Sequence, residues 1–238
     1  MAANFFPYWI SGKPNGEQLK RAMGGAFAPG MLAEYAVVPA NCLVKLPDSF
    51  SFAEAATLPC AGVTAWYALF EAFNLQPGQT VVVQGTGGVS IFALQLGKLA
   101  GARVIATSSS DAKLERVKAL GADALINYTA KPDWDREVKR ITGGLGADIV
   151  VDVGGAGTIG KSVSAAAIGG GIAVIGVLSG LDSNMSLFQV LAKQAVLSGI
   201  YVGAREHLQR TADALAAGGV KPIIARVFPF SDAREANA

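Results

Sequence analysis

A doubly wound α/β fold built on a parallel sheet is what the sequence predicts, and three observations carry that expectation. From Thr80 onward, short apolar runs alternate with segments of helical period. Gly101, Gly121 and Gly146 each precede an alanine and a new apolar run, the place where a helix stops before the next strand. The first run, Thr80-Val81-Val82-Val83-Gln84, passes straight into a glycine turn that opens a helix, Gly85-Thr86-Gly87-Gly88-Val89-Ser90.

The elements follow in order. Residues 33–39 and 41–46 read as two short strands joined by a turn, 51–58 and 62–73 as helices, and Gln76-Pro77-Gly78 as the break into the sheet domain. Six strands are expected at 81–83, 104–106, 124–126, 149–151, 172–175 and 196–200. In the first intervening helix Val89, Phe92, Ala93, Leu96 and Ala100 share a face, as do Leu114 and Val117 in the second. The uncharged stretch 162–181 has the length of a membrane span, but Gly169-Gly170-Gly171 divides it into a helix end and a short strand, so it reads as core. After Tyr201 come a helix at about 206–217, a short strand at 226–230 and a helix start at Ser231-Asp232.

Composition narrows the function. The 238 residues carry a net charge of +2 with the basic side chains scattered, which argues against a nucleic-acid or anionic-membrane surface. Two cysteines, Cys42 and Cys60, supply neither a disulfide framework nor a metal cluster of their own, and the compartment expected is the cytoplasm. Residues 1–10 lack the basic leader and sustained apolar core of an export signal.

The glycine turn is the informative motif. Gly85 lets the chain turn at the strand end, Gly87 removes the side chain where backbone must approach a phosphate, and helix N–H groups from Gly88 onward face the negative charge. Ser90 stands where the third glycine of G-x-G-x-x-G usually sits, a position that sets how closely helix packs on strand. The expected ligand is a pyridine dinucleotide. A site for NAD places a carboxylate about twenty residues beyond the turn, whereas here residues 103–107 end in Ser108-Ser109-Ser110. Ser108 and Ser109 hydroxyls with the Lys113 ammonium suit the 2′-phosphate of NADP, with NAD as the alternative. Equally, Ser110 or Asp111 would cap the next helix and Lys113 would be a solvated face residue.

Several ordered segments together resemble the medium-chain dehydrogenase/reductase superfamily, on its zinc-type alcohol dehydrogenase and quinone reductase-like side. They are Leu58-Pro59-Cys60-Ala61-Gly62-Val63-Thr64-Ala65-Trp66, the turn at Gly85 to Ser90, Leu120-Gly121-Ala122-Asp123 with Ile126-Asn127-Tyr128, and Gly199-Ile200-Tyr201-Val202-Gly203. The likeness runs from about residue 31 to 237. It implies a Rossmann sheet with the remnant of a GroES-like β domain, arranged as a partial substrate domain (1–58), a dinucleotide domain (59–203) and an incomplete C-terminal segment (204–238). Set against that family the chain reads as shortened at both ends.

The resemblance also implies site residues. Beside Gly85, Thr86, Gly87, Gly88 and Val89 it points to Thr64 near the nicotinamide, Tyr128 on the 2′-phosphate, and Gly154 with Gly155, Gly176 with Val177, and Tyr201 with Val202 in loops after the last three strands. Loops at strand C-termini form the crevice of such sheets, an independent reason to look there. The structural readings beside these are ordinary turns for the glycines, a core edge for Tyr128 and core filling for Tyr201. Cys60 stands at a zinc-ligand position of the metal-dependent members. With a single histidine in the chain, the favoured reading is a small packed thiol and a site without zinc.

No triad is arguable, since the sole histidine, His207, falls in a polar helix and reads as surface. Even spacing puts Asp148 and Asp152 on one side of their strand, where strand ends commonly carry such residues, so paired acid/base work is not assigned to them. The catalytic residues stay unknown. The expected function is NADP-dependent hydride transfer to a quinone, enone or related carbonyl or alcohol. A zinc-type alcohol dehydrogenase and a non-catalytic nucleotide-binding module are the alternatives. The family likeness further implies a homodimer through the edge near residues 172–178 and 196–202, and loss of the first domain is expected to leave apolar surface around Trp9, Trp66 and Phe70.

Overall fold

The computed structural model describes residues 1–236; Asn237, where the family likeness ends, and Ala238 lie outside the described residues. In chain order the first elements are β1 (Ala2–Ala3), α1 (Gly16–Lys20), β2 (Leu43–Val44), α2 (Phe52–Ala56) and α3 (Val63–Trp66). The sheet domain follows with β3 (Thr80–Gln84), α4 (Gly88–Leu99), β4 (Arg103–Ser108), α5 (Asp111–Ala119), β5 (Ala124–Asn127), α6 (Trp134–Ile141), β6 (Ala147–Asp152), α7 (Ile159–Ala165), β7 (Ala166–Val174), α8 (Leu187–Lys193) and β8 (Val196–Gly199). The described chain closes with α9 (Arg205–Ala217) and α10 (Ala233–Ala236).

All six expected strands form one parallel sheet in the order β5-β4-β3-β6-β7-β8. The order reverses between β3 and β6, so their C-terminal ends splay the connecting helices apart and open a crevice. Alternation along each strand sorts the core onto two faces: Val81, Val83, Val104, Ala106, Ile149 and Val151 pack with α4, whereas Val82, Ile105, Val150 and Ile172 join a second cluster with Trp134 and Val163. Burial on both faces is why the strands read as unbroken apolar runs. Gly101, Gly121 and Gly146 all have φ between +77° and +98°, the left-handed conformation a helix stop requires.

Four expectations are corrected. Residues 33–39 form no strand: Tyr35 and Val37 are exposed, and the short pairing nearby joins β2 to β1, so this stretch has no ladder partner for its backbone groups. Residues 226–230 likewise stay irregular up to the 3₁₀ turn Phe230–Asp232. Gly169-Gly170-Gly171 does not separate helix from strand but lies inside β7, where the pairing with β6 shifts register and Gly169 takes φ +75°. A side chain at Gly171 would strike the Phe73 ring at 2.4 Å, so the glycine there lets the helix end pack on the sheet. Finally, Trp9 is not uncovered; it is buried with Phe6 against α9, and Trp66 and Phe70 are half-buried. Exposed apolar side chains include Phe27, Leu32, Tyr35, Val37 and Phe52 in the N-terminal segment, and Leu187, Phe188 and Leu191 on α8 with Val196 on β8.

Candidate cofactor site

The glycine turn sits at the end of the central strand. Gly85 adopts φ +71°, and α4 starts at Gly88 with Gly87 as its N-cap and no side chain bonded to its first turn. The leading N–H groups of this twelve-residue helix therefore face outward without a side-chain acceptor. Ser90 occupies the third motif position because its hydroxyl donates to the Gln84 carbonyl at 2.6 Å, tying helix to strand where a glycine would only permit the approach. On the other flank Ala61 lies 3.2 Å from the position a Cβ on Gly88 would take, so the turn is wedged against the helical segment of residues 58–66.

The glycines divide into two kinds. A Cβ built on Gly154 would meet Thr158 Oγ1 at 2.5 Å, one on Gly155 the Gly176 carbonyl at 2.8 Å, and one on Gly176 the Val153 carbonyl at 2.0 Å. The chain itself demands glycine there, because the loops after β6 and β7 press backbone against backbone at Gly155 and Gly176 and against the Thr158 side chain at Gly154. Gly87 differs. Its φ of −79° suits any residue and nothing lies within 4 Å of its Cβ position, so no contact within the protein explains the missing side chain. What fits is a group that comes up to the backbone from outside, and a diphosphate on a helix N-terminus has the right charge for it.

Beside the turn a cavity of about 440 Å³ opens between the strand ends, walled by Gln84, Gly85, Thr107, Tyr128, Trp134 and Lys161 among others. Its floor is held by Asp152, fully buried, which accepts hydrogen bonds from the Gly154 and Gly155 N–H groups at 3.0 and 2.9 Å, from Thr158 Oγ1 at 2.7 Å, from Ser162 and from Gln84 Nε2 at 3.3 Å. Asp148 accepts from the Thr80 N–H at 2.7 Å at the other end of β6. Asp148 thus holds a backbone group, and Asp152 holds backbone and side-chain donors together.

The other expected site residues distribute unevenly. Thr64 is buried and its hydroxyl donates to the Cys60 carbonyl at 2.7 Å. It lies just beyond the π-helical stretch Leu58–Gly62, with a second such stretch at Tyr67–Glu71; widened turns of this kind are frequent at functional sites. Ser108 is buried and its Oγ accepts from the Ser110 N–H at 3.3 Å, while Ser109 and Lys113 are exposed. Asp111 accepts from Asn127 Nδ2 at 2.7 Å, and Ser110 is the N-cap of α5 without a side-chain cap bond. Thr86 is half-buried, Val177 is exposed, and Tyr201 is exposed with its ring edge-on to Phe6 at 5.0 Å. Val202, which the family resemblance points to, is a β-branched residue held at φ +59°, a backbone conformation that its residue type does not signal.

His207 is a correction. It is buried, not a surface residue: the Ala204 N–H donates to its Nδ1 at 3.0 Å, Tyr67 and Trp9 pack their rings against it, and its Nε2 faces Glu206 at 3.6 Å and Glu71 at 3.8 Å. Burial lowers its pKa below the usual 6.5, outweighing the two carboxylates that raise it, and Arg210 adds to the lowering. Cys60 is exposed, with burial of its surroundings raising the thiol pKa and no cation beside it to favour the thiolate. Among the described residues no group of three or more His, Cys, Asp or Glu side chains is placed to hold a metal ion, so these residues do not by themselves fit a catalytic zinc.

A six-stranded parallel sheet of this order, with an uncapped helix N-terminus at its switch point, is the Rossmann architecture. Residues 88–217 match the family described as zinc-binding dehydrogenase. The chain is 40% identical to the zinc-type alcohol dehydrogenase-like protein C1773.06c of Schizosaccharomyces pombe, over 99% of its own length and 70% of that protein. It is 32% identical to a quinone oxidoreductase-like protein 2 homolog of Nematostella vectensis, over 91% of its length and 62% of the relative. Among solved structures it superposes on a protein assigned as an alcohol dehydrogenase from Sinorhizobium meliloti 1021 with TM-score 0.92 and 43% identity, covering 99% of this chain and 69% of that one. An NAD-dependent alcohol dehydrogenase gives TM-score 0.83 and 40% identity over 90% and 62% of the two chains. The 2-octenoyl-CoA carboxylase reductase CinF, solved with NADP and 2-octenoyl-CoA, gives 0.85 and 29% over 91% and 53%. The chain belongs to the zinc-binding dehydrogenase family of the medium-chain dehydrogenase/reductase superfamily.

Proposed function

We propose that this chain binds NADP(H) across the C-terminal edge of its sheet and serves hydride transfer between the nicotinamide and a quinone, enone, or other carbonyl or alcohol substrate, without zinc. The single observation that carries the cofactor reading is Gly87 at the head of α4, where ordinary backbone angles and open space at the Cβ position coincide with a long helix N-terminus that no side chain caps. The bound nicotinamide supplies the hydride chemistry, and the protein's part is to orient it and exclude water. In this reading the amides from Gly87 to Val89 hold the diphosphate, with Gly85 and Thr86 shaping the turn. Thr64, Val177, Tyr201 and Val202 line the nicotinamide end, and Tyr128 with Ser108, Ser109 and Lys113 the adenosine end.

The preference for NADP rests on the absence of a carboxylate at the end of β4, where Ser108 and Ser109 stand and the nearest acid, Asp111, is engaged by Asn127. The similarity to an NAD-dependent alcohol dehydrogenase favours NAD as the second reading. Separate titrations with NADPH and NADH decide between them: tighter NADPH binding is expected, and tighter NADH binding would overturn the preference.

We further propose a cytoplasmic homodimer. Both cysteines are free thiols, and no described helix is long and apolar enough to cross a membrane. Leu187, Phe188 and Leu191 of α8 are exposed and β8 ends the sheet with one edge unpaired, and a second copy of the chain would cover both.

A further inference from the structure

Helix α9 opens on a residue that cannot cap it. Ala204, its N-cap, has no side-chain acceptor to offer, and the first N–H groups of the helix are met from the N-terminal segment: Arg205 donates to the Trp9 carbonyl at 2.9 Å and Glu206 to the Ile10 carbonyl at 3.0 Å. The Ala204 N–H itself goes to His207 Nδ1 at 3.0 Å, so a histidine at the third helical position takes the part that glutamate or glutamine plays in a capping box. An accepting Nδ1 carries no hydrogen, which puts the proton of the neutral ring on Nε2, facing Glu206 at 3.6 Å and Glu71 at 3.8 Å. Both carboxylates have other donors. Glu206 takes the Gly12 N–H at 2.9 Å and lies 3.5 Å from Arg210, while Glu71 takes Trp66 Nε1 at 3.1 Å and Arg210 at 2.9 Å. The other rings against His207 are Tyr67, whose phenol pKa burial and Glu71 raise, and the uncharged Trp9. His207 is 3% exposed, and a Cβ on Gly203 would lie 3.2 Å from Nδ1, so the imidazole and the Gly203–Ala204 peptide pack directly on each other.

Resting on the cofactor reading above, in which Tyr201 and Val202 line the nicotinamide end, we propose that His207 is a positioning residue worked by a proton: as the neutral ring it pins the turn of residues 201–204 through the Ala204 N–H, and as the imidazolium it lets that turn go. The imidazolium carries a hydrogen on each nitrogen and accepts at neither, so two N–H groups would meet where one hydrogen bond stood. The ring has Tyr67 and Trp9 against it and two carboxylates before Nε2, whereas the peptide begins at a glycine that follows Val202 at φ +59°. The peptide is therefore the partner that yields, and its movement relieves the strained Val202. Neutral pH keeps the turn pinned, because burial lowers the His207 pKa below 6.5 against the raising effect of Glu71 and Glu206, and Arg210 adds to the lowering. Acid releases it, and the grip on the nicotinamide end weakens although the histidine is not among the residues assigned to the cofactor.

His207 is the only histidine in the chain, so its ring-nitrogen NMR resonances report tautomer and titration without ambiguity. The test follows them in the wild-type chain between about pH 7.5 and 5.5, beside the hydrogen-exchange protection of the Ala204 amide. The exchange series is repeated in His207→Gln, whose side chain still accepts from the cap N–H but does not titrate, with a thermal melt to confirm folding. Expected are a neutral ring protonated on Nε2 and an Ala204 protection factor that falls about tenfold per pH unit below the imidazole midpoint, as one proton demands, and stays level in His207→Gln. A ring protonated on Nδ1, or a protection factor indifferent to the imidazole titration, would overturn the proposal. So would a fall shared equally by sheet amides such as Val82 and Ile105, which would mean general loosening and not the release of one turn. NADPH dissociation constants at the two ends of the pH range test the cofactor half: wild type should weaken more than His207→Gln, since titration of the coenzyme itself is common to both. Equal weakening overturns the positioning role. Failure of folded wild type to bind NADPH or NADH at the upper pH would overturn the cofactor reading instead, and the Ala204 exchange would still decide whether the proton works the turn.

Discussion

Replacing Gly87 by alanine separates the demands of the fold from those of the ligand. The new methyl enters space with no heavy atom within 4 Å, at φ −79° and ψ 178°, angles an L-residue adopts freely. Two small effects on stability oppose each other: alanine is a poorer N-cap than glycine, but it removes conformational freedom from the unfolded chain, so the net change is within about 1 kcal/mol. Cofactor affinity should respond differently. The methyl stands where the diphosphate must reach the backbone, and displacing it from one helix-terminal amide removes a charge-assisted bond of about 1.5–3 kcal/mol, roughly a ten- to hundredfold rise in Kd. Tryptophan fluorescence titration with NADPH measures the second quantity and a thermal melt the first. Gly176→Ala is the control of opposite character, since its Cβ would sit 2.0 Å from the Val153 carbonyl and should lower the melting temperature outright. A Gly87→Ala protein that binds NADPH as tightly as wild type would refute the reasoning, because the diphosphate would then lie elsewhere.

Three further outcomes are expected. Asp152→Ala strips the acceptor from two backbone N–H groups, two hydroxyls and the Gln84 amide in a fully buried position, so a loss of at least about 3 kcal/mol in denaturant unfolding should follow; near-wild-type stability would show that water replaces the carboxylate. His207 has a folded pKa below its unfolded value, so the unfolded chain takes up the proton first; stability is full above about pH 6.5 and falls as pH drops from there toward the folded pKa. His207→Gln should flatten the dependence of melting temperature between about pH 7.5 and 5.5, and an unchanged slope would assign it to another group. Leu191→Glu puts a charge on the exposed apolar face of α8 and should convert a dimer to a monomer by light scattering, whereas wild-type protein already monomeric at micromolar concentration would contradict the dimer.

Periodicity made the sheet legible in the sequence because parallel strands buried on both faces leave no choice but apolar residues, and the recurring helix stops needed glycine at φ near +90°. It failed at residues 33–39 and 226–230 for one reason: an alternating pattern states what a strand would look like, not whether a neighbour exists to take its hydrogen bonds. His207 was illegible because the polar neighbours that suggested a surface helix, Arg205, Glu206 and Arg210, partner groups on other segments. Arg205 donates to the Leu43 carbonyl and Arg210 to Glu71. The seating of the Gln84 amide on Asp152 and Ser162, which leaves its oxygen orphaned, depends on contacts between residues 68 and 78 apart, which no local spacing encodes.

The N-terminal segment acquires a purpose from the same kind of long-range contact. Val202 at φ +59° carries a backbone strain of about 1–3 kcal/mol that surrounding structure must sustain. Its side chain is buried in the main core, the following Gly203 leaves no room for a Cβ within 2.5 Å of Val63, and the Gly203 carbonyl accepts from the buried Asn4 amide at 3.2 Å, 199 residues away in sequence. Asn4 also bonds the Phe6 carbonyl at 3.0 Å and the Cys42 carbonyl through its own N–H, so one residue links β1, β2 and the loop after β8. The first residues of the chain thus fix a strained turn in the one conformation that packs, and the buried apolar Phe6 and Trp9 that hold them down are part of the same device.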